Sequence, residues 1–195
     1  MIRLGLCGKI VFLSEDWIPN LKFIKNYFLE KWLNARLFFM GRKPELTDFI
    51  NKLKQINKIM VIVPRDRAQE VVARKYITML KDAFPGAKIS KIDVFNLRKT
   101  DINWIGAPNE QFIEQFRKEN FDLSIDFNSY HDALCSYLCA LTEAAIRMHI
   151  CEGKFDKIYN LHIRTNSNTS LERRYTQLLT KLINLAQAIR KAPAV

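Results

Sequence analysis

The chain has 195 residues, 48% hydrophobic and 26% charged, which is enough apolar material for one sizeable core and too little length for two full domains. Its 31 Lys and Arg against 20 Asp and Glu give a formal charge of +11, which favours polyanionic partners such as nucleic acid, anionic lipid headgroups or phosphorylated sugars. A membrane-spanning segment is excluded, because even the richest apolar window, 21–40, carries Lys22, Lys25, Glu30, Lys31 and Arg36.

At the start, the run from Leu4 to Leu13 is broken by Gly5, Gly8 and Lys9, and no small-residue cleavage pattern follows it. The expected location is cytoplasmic, with the inner face of the cytoplasmic membrane as the finer reading. Residues 20–40 read as an amphipathic helix in which Leu21, Ile24, Phe28, Trp32, Ala35 and Phe39 recur at helical spacing. Lys22, Lys25, Lys31, Arg36, Arg42 and Lys43 face a single acid, Glu30, across this region. Gly41 offers a stop, and Pro44 opens a second short helix over 45–56. Residues 1–57 are therefore read as an N-terminal strand and helical extension, and 58–195 as the main domain.

From Lys58 the pattern alternates between strand and helix, as a parallel sheet with crossover helices requires. KIMVIVP at 58–64 is a continuous apolar run of the kind buried on both faces. A helix is expected over 71–84, ended by Pro85 and Gly86, then a strand over 88–95 and a helix over 109–119. FDLSIDFN at 121–128 reads as a strand, and 131–145 as a helix. RMHI at 147–150 and KIYNLHI at 157–163 read as two more strands. The last helix, 171–190, has Asn168, Thr169 and Ser170 as capping candidates. The fold class that follows is α/β: a Rossmann-like three-layer domain with a mostly parallel sheet and an N-terminal amphipathic helix.

The segment KIMVIVPRDRAQEVVARKYITMLKDAFPGAKI resembles the opening β-α-β unit of family 9 glycosyltransferases, the group that includes ADP-heptose:lipopolysaccharide heptosyltransferases. In that family a buried strand runs into an Arg-Ile-Gly-Asp turn and a helix closing on Lys-x-x-Phe-Pro-x-Ala; the closing phrase stands here as Lys81, Phe84, Pro85 and Ala87. FDLSIDFNSYHDALCSYLCALTEAAIRMHI resembles the family's strand with an Ile-Asp pair, its small-residue helix, and a short strand that normally carries a glycine. The similarity spans roughly residues 20–165. It implies the acceptor-side half of a two-lobed GT-B enzyme, acting in cell-envelope glycan synthesis on a lipopolysaccharide-type acceptor.

The departures bear on activity. Arg67, Ala68, Gln69 and Glu70 stand where the family has Arg-Ile-Gly-Asp, so a long side chain replaces the glycine that lets ligand approach the backbone. The resemblance makes Glu70 the base for an acceptor hydroxyl, with a carboxylate displaced by about one bond length from the family's Asp, and a base must lie within hydrogen-bond reach of its proton. Nothing here answers to the family's donor-binding lobe, and no Gly-rich phosphate loop replaces it. The expected protein is therefore an accessory or half of a split transferase, needing a separate donor-binding domain or other protein partner. The alternative is a non-enzymatic subunit of a larger assembly.

Two polar clusters are candidate substrate contacts. Arg65, Asp66, Arg67, Gln69 and Glu70 follow the first strand of the main domain, at the carboxyl edge where open α/β sheets bind ligands. The competing reading is a solvated turn with local ion pairs. Asn128, Ser129 and His131 lie at the equivalent edge of a later strand and would hold sugar hydroxyls or phosphate; otherwise Asn128 or Ser129 simply caps the next helix. His131, Cys135 and Cys139 recur every four residues, which raises a metal site completed by His149, Cys151 or His162. Cys-x-x-x-Cys inside an apolar helix lacks zinc-site turn geometry, so core packing is preferred. Without CxxC spacing, Cys7, Cys135, Cys139 and Cys151 read as reduced thiols.

No cofactor is implied. The partners expected are an anionic glycolipid or sugar-phosphate acceptor, a donor-domain or other protein, and a membrane surface contacted through residues 20–40. Nucleic acid is the alternative, given Arg164, Arg173, Arg174, Lys181, Arg190 and Lys191 near the far end, although no zinc finger, KH loop or RNP motif is present.

Overall fold

The structure is a computed structural model describing residues 19–40, 49–64, 66–150, 157–162 and 169–191. Among the described residues two helices precede the sheet, α1 (Pro19–Met40) and α2 (Phe49–Lys54), and the expected N-terminal strand lies outside them. Then come β1 (Lys58–Ile62), α3 (Arg67–Ala83), β2 (Lys88–Ile92), α4 (Glu110–Lys118) and β3 (Leu123–Asp126). The chain continues through α5 (Ala133–Leu141), β4 (Ile146–His149), β5 (Leu161–His162) and α6 (Leu171–Lys191). The five strands form one sheet in the order β2-β1-β3-β4-β5, every pairing parallel. This is the Rossmann-like three-layer α/β arrangement expected from the alternating pattern.

The layers follow from period-two alternation in the strands. Ile59 and Val61 of β1, Leu123 and Ile125 of β3, and Ile146 and Met148 of β4 pack with Tyr76, Ile77 and Leu80 of α3 and Tyr175, Leu178 and Leu179 of α6. Leu53 of α2 closes this core. Met60 and Ile62 point to the opposite face, where they meet Ile113 and Phe116 of α4, Leu138 and Leu141 of α5, and Leu33 and Leu37 of α1. The first helix thus lays one line of its surface on α5, with Trp32 edge-on to Tyr137 at 5.3 Å between centroids.

Each internal helix begins where a short polar side chain takes its first free N–H groups. The Asp66 carboxylate accepts from Ala68 N at 2.8 Å, so α3 begins at Arg67, four residues earlier than the apolar periodicity alone suggests. Asn109 Oδ1 accepts from Phe112 N at 2.9 Å to open α4. For α5 the cap is Asp132, accepting from Leu134 N and Cys135 N, rather than Asn128 or Ser129; α5 accordingly spans Ala133–Leu141 and not 131–145. The strand expected over 88–95 stops at Ile92 and tightens into a single turn at Val94–Asn96. Only Leu161–His162 of the segment expected over 157–163 pairs with the sheet among the described residues. None of the helices among the described residues is long and apolar enough to cross a membrane.

Candidate functional site

The strand order fixes where a crevice opens. From β1 the chain crosses to β2 on one side, and from β2 it returns past β1 to β3 on the other, so connections leave the carboxyl ends of β1 and β3 in opposite directions. That divergence is the topological switch point at which open α/β sheets bind ligands. The segment after β1 holds Asp66, Arg67, Gln69 and Glu70, and the segment after β3 holds Asn128, Ser129 and His131. Both polar clusters read from the sequence therefore flank the same switch point; Arg65 lies outside the described residues.

On the β1 side these residues belong to the first turn of α3, whose aligned peptide dipoles favour an anion at this end. Asp66 is committed to the cap and also accepts from Gln69 Nε2 at 3.3 Å. Arg67 is exposed, which leaves its charge at the rim. Glu70 accepts both Nε (3.1 Å) and Nη2 (2.7 Å) of Arg74 one turn on. As a base its carboxylate would first have to leave this ion pair, one whose arginine is largely exposed and so weakly held.

The β3 side is different in kind. Ser124, Asp126 and Asn128 alternate onto the α5 face of the sheet, all fully buried. The parallel register sets Ser124 beside Arg147 and Asp126 beside His149, and both β4 residues are also buried. Asp126 Oδ1 accepts from Asn128 N at 2.9 Å and from Asn128 Nδ2 at 2.7 Å, while Oδ2 accepts from the Tyr159 hydroxyl at 3.0 Å. Tyr159 in turn lies 3.1 Å from Ser136 Oγ of α5. His149 Nε2 stands 3.7 Å from Asp126 Oδ2, too far for a direct hydrogen bond yet close enough for charge to be felt. Its ring stacks on Tyr159 at 4.8 Å and tilts against His131 at 4.7 Å. His131 is only half-buried, so a line of aromatic nitrogen rings leads from the rim to the buried carboxyl group.

Burial dominates the proton affinities here. Loss of water raises Asp126 above the usual carboxylate range, opposed by the nearby His149, the Asn128 donors and Tyr159. Burial likewise drives the Tyr159 phenol well up, with the Asp126 charge adding to the effect. The Cys139 thiol is pushed up for the same two reasons, and burial lowers the Arg147 guanidinium. A carboxyl group reluctant to ionise, beside an imidazole and a phenol, can hold or pass a proton and can present fixed dipoles to a ligand at the rim.

The four-residue recurrence of His131, Cys135 and Cys139 resolves into this network. Cys135 Sγ accepts from Asn128 Nδ2 at 3.4 Å, and both α5 cysteines are buried free thiols. Among the described residues no three His, Cys, Asp or Glu side chains converge on a metal position; Cys7, Cys151 and the His162 side chain lie outside the described residues. Of the predicted contacts, Asn128 and His131 enter the network, while Asp66, Arg67, Gln69 and Glu70 remain at the α3 rim. Asp126, Arg147, His149, Ser136 and Tyr159 were not among the predicted contacts. Their signal was available: in LSIDFN and IRMHI every second residue is polar on strands whose other positions are apolar, which marks a polar seam rather than an ordinary core face.

The chain belongs to the family of unknown function DUF6913, whose model matches residues 25–184. That span runs from α1 into α6 and contains both sides of the switch point. No curated protein and no solved structure matches the chain.

Proposed function

We propose that this DUF6913 member binds an anionic glycan acceptor, a glycolipid or sugar phosphate, at the carboxyl edge of its sheet. It would serve cell-envelope glycan synthesis as an accessory, or as the acceptor-side half of a split family 9 transferase whose activated sugar is held by another protein. The inner face of the cytoplasmic membrane is the location that suits such a substrate.

One observation carries the reading: two polar segments far apart in sequence flank the switch point between β1 and β3. On one rim, Arg67 and the N-terminal end of α3 offer charge and dipole to a phosphate. On the other, Ser129 and His131 offer donors and acceptors to sugar hydroxyls, braced from behind by the buried Asn128, Asp126 and Tyr159. Transfer by this chain alone is disfavoured because the seam turns its carboxyl, imidazole and phenol groups inward. In the split-transferase form, Glu70 would release Arg74 and take the acceptor hydroxyl proton once acceptor and donor protein were both in place.

The test is titration calorimetry of the purified chain with a hexose phosphate and with a lipopolysaccharide core oligosaccharide. Saturable binding is expected, weakened about tenfold by Arg67→Ala through loss of a charge-assisted contact and more modestly by Glu70→Ala. Binding indifferent to both substitutions, or no binding of either sugar, overturns the proposal.

A further inference from the structure

The first helix buries only one line of its surface. Leu33 and Leu37 are almost fully covered by α5, with Leu29 and Trp32 partly so. At 100° per residue, Ile24, Tyr27, Lys31 and Phe38 fall on the opposite side. Phe23, Phe38 and Phe39 are 74%, 78% and 82% exposed, and Ile24, Tyr27 and Phe28 about half. Single exposed apolar residues are ordinary on a protein surface, but six along one helix form a patch that needs an occupant.

A second element adds to it. Gly106, at φ 88°, lies beside α1, where a Cβ would make an ordinary contact of 3.7 Å with Leu29 Cδ2. Gly106 N donates to Asn103 O at 2.9 Å, closing a turn that carries Trp104, itself 73% exposed. An indole thus projects from a loop seated against the aromatic helix. Tryptophan and tyrosine settle at the headgroup level of a bilayer, and phenylalanine is typical of the apolar face that an interfacial helix sinks below it.

Charge selects among the occupants. Glu30 is the one acid in α1, against Lys22, Lys25, Lys31 and Arg36. Lys31 sits in the middle of the exposed face with its ammonium 5.4 Å from the Tyr27 ring centre, and Arg36 lies over Trp32 at 5.3 Å on the flank. A long lysine can lay its stem on lipid and lift its charge to phosphate. Pairing of two copies through this face would instead press Lys31 against Lys31 between chains of charge +11.

We propose that the outward face of α1, together with Trp104, is a docking surface for an anionic lipid bilayer, with the helix lying in the headgroup plane. Its observations are those of α1 and Trp104 alone, so the proposal stands whether or not a glycan binds at the switch point. The experiment is co-sedimentation of the full chain with vesicles of phosphatidylcholine alone and of phosphatidylcholine mixed with phosphatidylglycerol. Binding is expected to the mixed vesicles only, to weaken as salt rises, and to fall about tenfold for each of Phe38→Ser and Phe39→Ser. Val71→Ser, which removes an exposed apolar residue on α3, should leave it unchanged. Brominated lipid should quench tryptophan emission, and Trp104→Phe should remove much of that quenching. Equal binding to both vesicle types, absence of binding, or loss identical in Val71→Ser overturns the proposal. So does salt-independent self-association without vesicles that Phe38→Ser abolishes, because the face would then belong to a second copy.

Discussion

The two faces of the sheet are built on different terms. Against α3 and α6 the strands present Ile59, Val61, Leu123, Ile125, Ile146 and Met148, and the helices answer with apolar side chains and two tyrosines. Those phenols find acceptors or partners at the margin, Tyr175 on Phe127 O and Tyr76 on Glu172 O and Thr176 Oγ1. Against α5, the same strands β3 and β4 present Ser124, Asp126, Arg147 and His149. One face is held by burial of apolar area; the other gives up part of that gain to enclose polar groups, which is stabilising only while each keeps its partners. A polar seam of this kind, next to the switch point, is what a binding site needs behind it: side chains held in one geometry by their neighbours.

The sharpest break of this contrast comes from the apolar face. Leu179→Ala, at a fully buried α6 position, should cost about 2–5 kcal/mol of unfolding free energy, because the lost transfer term and the residual cavity add. Urea denaturation measures it, and a loss below about 1 kcal/mol would mean that this face is not the principal source of stability.

Next in size is the seam. Tyr159→Phe keeps the ring stacked on His149 but removes the donor to Asp126 and the partner of Ser136. The expected loss is about 1–3 kcal/mol, since a buried acceptor is left short of a donor. A double-mutant cycle with Asp126→Asn should show a coupling clearly different from zero. Additive effects would show that the two groups act independently.

The seam should also leave a pH signature that the apolar face cannot. Burial raises the Asp126 carboxyl in the folded protein above its unfolded value of about 3.9, so the folded state holds this proton more tightly. Its contribution to stability is complete below the unfolded value and is lost as pH rises through the folded one. Asp126→Asn should flatten the stability profile across that window, and a slope unchanged in the variant would remove Asp126 as its source.

The smallest effect concerns the thiols. Cys139 is buried and pushed toward the unreactive thiol form by desolvation and the neighbouring Asp126. In the native protein it should resist alkylation until denaturant is added, with Cys139→Ser altering sugar or vesicle binding by less than a factor of about 2. Rapid native-state modification would show that the seam opens.

Much of this architecture was legible because its signals are local. The β-branched run at 58–64 and the period of 3.6 in 71–84 identify a buried strand and a crossover helix without reference to anything distant. The switch-point segments could be placed at a carboxyl edge for the same reason. Other features were hidden in competition between local signals. The apolar stripe of α3 suggests a start at Val71, whereas the Asp66 cap draws in one more turn and carries Arg67 and Glu70 onto a helix. Asn128 and Ser129 have capping chemistry, yet Asp132 stands nearer the helix and takes the free N–H groups. On α1 the pattern shows apolar residues around much of the circumference, and only packing on α5 shows which of them are left outside.

Element types, their alternation and the parallel class of the sheet could be read along the chain, because hydrophobic period and turn residues act within a few positions of one another. Which polar residues meet emerges only once the sheet is assembled. Asp126 and His149 are 23 positions apart and become neighbours through the β3–β4 register; Tyr159 reaches them from beyond β4. No local pattern encodes that register, since it is set by which strands share a sheet and by the helices that cover them.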